Sequence, residues 1–243
     1  MYYPRKLIIS GRYFELYEYE KSLKKDFTRT KKKITESVQL LIDDLIDPNK
    51  RVKDLVKRID SITRTRNQIR RNINANPDLT KFVTLTFAEN ITDVETANEH
   101  FHKFIKRLTY KFVDLKYFAI IEFQHRGAVH YHFLSDLAYI KSKELEKIWG
   151  HGFIKINKIK HVENIGAYVC KYLQKDMTET RLFNKKKFFY SKNLEKPIEI
   201  YDDKEITNTL EYYDLSNAEP EYKNKFSNDF IGNVEYKVFK LKI

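Results

Sequence analysis

Two histidines one residue apart, His130 and His132, have a spacing that suits metal binding. They lie within an apolar and β-branched run, residues 129–134, which is typical of a strand. Because side chains alternate between the faces of a strand, both imidazoles point the same way and Tyr131 points to the other side. Two imidazoles presented together favour a metal site. The alternative is a half-buried strand whose histidines only form hydrogen bonds.

A carboxylate is placed to join these histidines across a hairpin. Residues 117–123 form a second strand-like run, and the Arg-Gly pair at 126–127 predicts the turn between the two runs. A loop centred on residue 126 or 127, with the glycine in a left-handed conformation, pairs Glu122 with one of the two histidines. Gln124 lies on the same face and could replace or assist Glu122. This mixed set of oxygen and imidazole ligands favours Mg²⁺ or Mn²⁺ over a closed structural zinc site.

A second group of reactive side chains follows in residues 164–176, whose apolar spacing predicts a helix. At about 100° per residue, Tyr168 and Tyr172 project within roughly 40° of each other. Lys171 and Lys175 lie on the adjoining flank, and each follows a tyrosine by three residues. A phenol attacks a phosphate well at neutral pH when a cation stabilises the phenolate, so these lysines suit nucleophilic tyrosines. For a tyrosine pair taken alone, packing on an amphipathic helix is the alternative.

Three motifs in this order resemble the rolling-circle replication initiators of the HUH endonuclease superfamily, found in bacterial plasmids and small single-stranded DNA phages. Residues 82–87 resemble the first family motif, a strand with alternating threonines, and residues 130–132 resemble the second, two histidines around a hydrophobic residue. Residues 168–175 resemble the third, which carries the tyrosines. The resemblance covers about residues 80–176 and places Glu122 where the family's third ligand often lies.

The order in which the two tyrosines act stays open. The paired tyrosines resemble those of the phage initiators, whereas residues 171–176 also resemble the single-tyrosine plasmid initiators. The second match makes Tyr172 the more widely matched nucleophile. A departure from the family pattern is Tyr131, a polar-tipped residue where the second motif has a hydrophobic one.

The resemblance implies a nicking reaction that needs a divalent metal, Mg²⁺ or Mn²⁺, to polarise the scissile phosphate. The attacking tyrosine would keep the 5′ phosphate and release a 3′ hydroxyl that primes synthesis. The implied DNA partner is single-stranded or hairpin origin DNA. The sequence contains no Gly-x-x-x-x-Gly-Lys-[Ser/Thr] loop for ATP, so unwinding and synthesis would depend on a host helicase and polymerase in trans.

Two other functions remain open on the sequence. A tyrosine transposase of the same superfamily shares the order of histidines and then tyrosine, although about the first 75 residues would be surplus to so compact an enzyme. A non-catalytic DNA- or RNA-binding module would use the tyrosines to stack bases and keep the histidines structural. Conjugative relaxases are disfavoured because their tyrosine precedes the histidine motif.

The composition limits the class of protein. The chain has 243 residues, of which 42% are hydrophobic, enough to bury the core of one large domain or of a domain with an appended subdomain. A net charge of +12 with 33% charged residues makes nucleic acid the expected partner of a mixed, basic surface. Cys170 is the one cysteine, and neither a signal peptide nor a membrane-spanning run is recognisable, so we expect a protein of the reducing cytoplasm with no membrane partner.

The order of elements predicts an α+β fold with a mainly antiparallel central sheet flanked by helices. Between residues 82 and 176 the order is strand, helix, strand, strand, helix, strand and helix. The resemblance implies that this sheet is of the HUH type, which is ferredoxin-like. We predict three regions: N-terminal strands with a basic helical hairpin over 1–76, the catalytic core over 77–200, and a C-terminal extension over 201–243.

The regions outside the motifs carry weaker signals. Residues 7–19 predict two short strands, residues 234–243 a final strand, and residues from Thr30 onward a helical hairpin whose first helix ends at Pro48. Four arginines crowd the end of the second helix and would either hold DNA phosphates or face solvent: Arg64, Arg66, Arg70 and Arg71. Residues 185–190 pass from lysines to aromatics, as a single-strand-binding segment or an ordinary edge strand would.

Overall fold

The computed structural model describes residues 2–24, 62–159, 162–176, 185–186, 188–228 and 231–242, and at 158, 171–176 and 228 it describes the backbone alone. The chain forms two compact units, one from Met1–Asn67 together with Pro197–Ile243 and the other from Gln68–Lys196. The three sequence-predicted regions remain a prediction. None of the helices formed by the described residues combines the length and apolar character needed to cross a membrane.

The described residues form ten strands and five helices. In chain order they are β1 (Tyr2–Ser10), β2 (Tyr13–Lys24), α1 (62–74), β3 (Lys81–Thr86), α2 (Val94–Lys111), β4 (Tyr117–Phe123), β5 (Val129–Ser135), α3 (Ser142–Trp149), β6 (Ile154–Lys158), α4 (Ile165–Asp176), β7 (Phe188–Tyr190), β8 (Ile198–Ile200), α5 (Asp203–Tyr212), β9 (Tyr222–Asn228) and β10 (Gly232–Lys240).

The unit Gln68–Lys196 is built on one antiparallel sheet with the strand order β6-β3-β5-β4-β7. From β3 to α4 the elements follow the predicted order of strand, helix, strand, strand, helix, strand and helix. The α+β fold with a mainly antiparallel sheet is therefore confirmed.

One face of this sheet packs against α2 and α3 and forms the main core of the unit. Asp93 starts α2, because its side chain accepts a hydrogen bond from the amide of Thr96. Tyr131 is fully buried on this face, and its hydroxyl donates to Asn98 Oδ1 at 2.7 Å. Since residues alternate along β5, Tyr131 faces the core and leaves the two neighbouring histidines on the opposite face.

That opposite face is approached by α4, which contacts β4. Asn164 caps α4, because its Oδ1 accepts a hydrogen bond from the amide of Ala167 at 2.8 Å. Gly166 lets α4 pack closely on α1: a Cβ at this position would lie 2.5 Å from the carbonyl oxygen of Arg70 and 2.6 Å from Asn74 Oδ1. The capping side chain and the missing side chain together set where the tyrosine helix begins.

The other unit has its own five-stranded antiparallel sheet in the order β8-β1-β2-β10-β9. Helix α5 packs on β1, and the core of this unit contains Leu7, Phe14, Ile206 and Leu210. The chain therefore opens with the paired strands β1 and β2 and not with a helical hairpin, which corrects the N-terminal part of the fold prediction.

The predicted helical hairpin falls mainly on residues 25–61, which lie outside the described residues. The end of its second helix is described as α1 and is helical, as expected. The final strand expected over 234–243 is confirmed as β10.

Candidate active site

The hairpin of β4 and β5 sets the geometry of the candidate site. Glu122 lies directly opposite His130, and the pairing of Phe123 with Val129 centres the loop on residue 126. Gly127 has a φ of 86°, the left-handed conformation that glycine adopts at little cost. The predicted pairing of Glu122 with one of the two histidines is thereby confirmed, and the partner is His130.

His132 is held from three sides. Its ring is 5% exposed and stacks on Phe82, with 5.2 Å between the ring centroids. Its Nε2 forms a hydrogen bond with Glu122 Oε2. Its Nδ1 lies 3.4 Å from Thr84 Oγ1, and Thr84 is the residue directly opposite His132 on β3. The imidazole therefore has one orientation, with Nε2 directed to the carboxylate.

His130 differs from its neighbour because its Nε2 is buried without a hydrogen-bond partner in the described structure. Burial and the nearby His132 lower the pKa of His130 to about 4, and this effect exceeds the opposing influence of Glu122. His130 is consequently neutral at physiological pH. A neutral imidazole with an unused nitrogen is the form that binds a metal ion.

Gln124, considered as a substitute for Glu122, is engaged in the turn. Arg126 Nε donates to Gln124 Oε1 at 2.8 Å, and the same guanidinium donates to the carbonyl oxygen of Phe87 at 2.8 Å. These bonds tie the hairpin loop to the end of β3. The structure thus gives Gln124 a partner other than the two histidines.

The donor set of this hairpin fits a divalent cation, although its side chains are in direct contact with one another. Within the described part of the chain, no three His, Cys, Asp or Glu side chains are arranged around a common point for a metal ion. Glu122 Oε2 and His132 Nε2 contact each other, and the buried Nε2 of His130 has no partner. A carboxylate and two imidazoles on one face agree with the preferences of Mg²⁺ and Mn²⁺ for oxygen and nitrogen ligands.

Helix α4 brings Tyr168 to the same face of the sheet. Tyr168 is half-buried, and its ring meets Phe82 edge-on with 6.0 Å between centroids. Phe82 is the residue on which His132 stacks. One aromatic ring therefore separates this tyrosine from the histidine pair.

The remaining predicted catalytic residues follow in the same helix. The backbone at Lys171, Tyr172 and Lys175 is helical, so the spacing that places Tyr172 one turn after Tyr168 holds. Their side chains lie outside the described part of the structure, and their catalytic roles remain predictions.

The four predicted DNA-binding arginines all lie in α1. Arg64 is exposed, whereas Arg66, Arg70 and Arg71 are half-buried. The carbonyl of Arg70 is part of the contact with Gly166, so this end of α1 supports the tyrosine helix. Whether the guanidinium groups bind phosphate stays a prediction.

Two residues of the site were missed by the sequence reasoning. Thr84 and Phe82 contact His132, and the alternation of β3 puts both on one face. That alternation was visible in the sequence, but the register that places Thr84 opposite His132 was not.

The sequence comparisons agree with this segment. Residues 80–177 match the model of a family of replication-associated proteins, described by its member ORF2. The match begins just before β3 and ends just after α4, so it contains the hairpin and the tyrosine helix. No curated protein and no solved structure matches the chain. The resemblance to rolling-circle replication initiators is confirmed for this segment.

Proposed function

We propose that this replication-associated protein, a rolling-circle initiator by its residues 80–177, nicks single-stranded origin DNA through a tyrosine and transfers the strand. The observation that carries the proposal is the shared sheet face: Glu122, His130 and His132 lie on it, and the ring of Tyr168 lies on it one aromatic residue from His132. A nucleophile and a phosphate-binding centre on one face are what an in-line displacement requires.

In the proposed reaction, the phenolate oxygen of Tyr172 forms a bond to the scissile phosphorus. The bond between phosphorus and the 3′ oxygen breaks, and that oxygen takes up a proton to leave as a 3′ hydroxyl. The 5′ phosphate remains on the tyrosine, so the energy of the phosphodiester is kept for rejoining. Tyr168, one turn away, would accept a second strand end in the transfer step.

The two lysines would act through charge. Lys171 and Lys175 each follow a tyrosine by three residues in α4. An ammonium group at that distance favours the phenolate form and stabilises the negative charge that develops on the phosphate. Their function would therefore be electrostatic, without a proton transfer of their own.

Glu122, His130 and His132 would hold a divalent cation, Mg²⁺ or Mn²⁺, which when bound supplies charge neutralisation at the scissile phosphate. Thr84 would orient His132, since its Oγ1 can accept from Nδ1–H and leave the Nε2 lone pair for ligation. The burial of the His132 ring and of His130 Nε2 limits competition from water. The chain thus contributes orientation and dryness around the phosphate.

The partner in this proposal is single-stranded or hairpin origin DNA, with a host helicase and polymerase acting in trans. The net charge of +12 supports a polyanionic partner. A cytoplasmic location accords with such partners.

The test is a search for a covalent adduct. The full chain is incubated with Mn²⁺ and a random-sequence pool of single-stranded oligonucleotides, labelled at the 3′ end in one sample and at the 5′ end in another. Because the 5′ phosphate stays on the protein, the 3′ label should migrate with it in denaturing gels, and the 5′ label should appear as a shortened free strand. Tyr110→Phe, which alters an exposed phenol on α2, serves as the matched control.

The absence of any adduct, in a protein that still binds single-stranded DNA, would mean that the chain is a non-catalytic binding module.

A further inference from the structure

We propose that strand β7 forms an aromatic platform, Phe118, Phe188 and Tyr190, on which bases of single-stranded DNA flanking the scissile phosphate stack. The platform rests on the proposed function in its placement beside the reacting phosphate. It assigns a role to the lysine- and aromatic-rich segment 185–190, which the nicking chemistry does not use.

The register of the sheet puts this platform on the candidate active-site face. Phe188 lies opposite Ile120 and Tyr190 lies opposite Phe118. Ile120 in turn lies opposite His132. Neighbouring strands are about 4.8 Å apart, so two strand spacings, roughly 10 Å, separate the row of Phe188 from the row of His132. That distance suits nucleotides adjoining the phosphate.

The three rings are nearly parallel. Phe118 and Phe188 have centroids 5.4 Å apart and an interplanar angle of 14°, and Phe118 and Tyr190 have centroids 6.1 Å apart and an angle of 8°. Phe118 is fully buried and anchors the group, while Tyr190 is 44% exposed and Phe188 is partly exposed. A fixed set of parallel rings with accessible area is a surface on which bases stack at little entropic cost.

The core does not require aromatic residues at positions 188 and 190. Phe189 between them points to the opposite face, is 4% exposed and packs on Phe101, so it already anchors the short strand. The strand is also fixed at its end, where Ser191 and Tyr117 exchange hydrogen bonds. Alternation along a half-solvated strand favours polar residues at positions 188 and 190. Two aromatic residues there indicate a ligand.

The surroundings favour single-stranded nucleic acid as that ligand. Strand β7 ends the sheet, and none of the described strands pairs with its outer edge, so the face is open on that side. Lys186 precedes the strand, Lys192 follows it, and Lys155 lies on the same face at the other edge of the sheet, all exposed. Cations around stacked aromatics bind an extended strand. Duplex DNA keeps its base faces stacked and could not use the rings.

The experiment measures affinity separately from chemistry. Binding of the full chain to a fluorescent oligothymidylate of about 20 nucleotides is followed by anisotropy in chelator, where no cleavage is expected. Tyr190→Leu and Phe188→Leu should each weaken binding by about tenfold, the loss typical of one stacked base. Tyr110→Leu is the matched control, because Tyr110 is 92% exposed on α2 and should leave affinity unchanged. Equal affinity of both platform variants and the wild type would overturn the proposal.

An abasic oligonucleotide separates stacking from charge. It keeps the phosphates but has no bases, so the wild type and Tyr190→Leu should bind it equally, and their salt dependence on the thymidylate should have the same slope. A difference that persists on the abasic strand would overturn the stacking proposal. Tyr190→Phe keeps the ring and should bind like the wild type, and its failure to do so would overturn the proposal as well.

The outcome is distinguishable from failure of the proposed function. Tyr172→Phe leaves the platform intact and should bind the thymidylate like the wild type even though it forms no adduct. If the wild type forms no adduct with any oligonucleotide, the nicking proposal fails, and the affinity ratio between Tyr190→Leu and the wild type still decides the platform.

Discussion

His132 and His130 are equivalent in sequence pattern but differ in their surroundings. His132 is fixed by a stack on Phe82 and by contacts at both ring nitrogens, whereas His130 has a buried Nε2 without a partner in the described structure. The first imidazole therefore contributes to folding as well as to the candidate site. The second contributes mainly an unused ligand atom, whose burial costs stability and so calls for a functional reason.

Replacing either histidine with alanine should abolish cleavage while the protein stays folded, because water does not reproduce the orientation of a ligand on a strand. His132→Ala should also lower the free energy of unfolding by about 1–3 kcal/mol, since it leaves Glu122 without this partner, and His130→Ala should cost less. Glu122→Ala should weaken metal binding by a smaller margin. Nicking and chemical denaturation of each variant check this. Cleavage by the double histidine variant in chelator would show that no metal is needed.

Thr84 offers a test of how His132 is oriented. Thr84→Val keeps the shape but removes the hydroxyl that lies 3.4 Å from His132 Nδ1. We expect the affinity for Mn²⁺ to fall by about tenfold, the usual effect of losing a hydrogen bond to a ligating histidine. Thr84→Ser retains the hydroxyl and should restore binding, as measured by titration calorimetry. If valine and serine bind Mn²⁺ equally, the hydroxyl has no orienting role.

The tyrosines should separate into two roles. Tyr172→Phe removes the phenolate and should stop adduct formation, and Lys175→Ala should slow it by about 10²-fold if its role is electrostatic. Tyr168→Phe should still nick but fail at strand transfer, because a second nucleophile is needed only when a new end is captured. Mass spectrometry of the trapped peptide reads the order directly. DNA attached to Tyr168 in the first turnover would exchange the two roles, and an adduct on neither would end the mechanism.

At the scale of elements, the hairpin and the tyrosine helix were predictable because their signals are local. The register of β4 with β5 follows from a loop centred on residue 126 and a glycine in a left-handed conformation. The start of α4 follows from the Asn164 cap. Helix α5 was missed, although Asp202 caps it and Ile206 and Leu210 are spaced one turn apart on its buried side. The short strands β7, β8 and β9 lack enough periodicity to be found this way.

Gly166 tests whether the contact between α4 and α1 positions the tyrosines. Helix propensity alone predicts that Gly166→Ala stabilises the protein by up to about 1 kcal/mol. The added Cβ would instead lie 2.5 Å from the carbonyl of Arg70, so we expect a loss of about 1–3 kcal/mol and slower adduct formation. Thermal unfolding and single-turnover nicking give both values. A gain in stability would mean that the helices can separate at no cost to the site.

At the scale of the whole molecule, the sheet β8-β1-β2-β10-β9 joins the two ends of the chain. Tyr17 lies opposite Tyr236, with 4.6 Å between the rings, and the hydroxyl of Tyr236 donates to the buried carboxylate of Glu15. Strands β1 and β10 were each expected from their composition, but their membership of one sheet was not. Pairing between distant segments depends on packing that no local pattern encodes.

The basic character of the molecule leads to the last prediction. Reversing Arg64, Arg66, Arg70 and Arg71 to glutamate should lower the affinity for single-stranded DNA and flatten its salt dependence, because each phosphate contact releases counterions. The nicking rate at saturating DNA should not change, since these residues are not assigned to the chemistry. Reversing Arg64 alone, the exposed member in α1, keeps the buried contacts of the helix and is the control for folding. If the affinity and the salt slope of the fourfold variant equal those of the wild type, the cluster is a solvated face, and the phosphate contacts lie elsewhere on the surface.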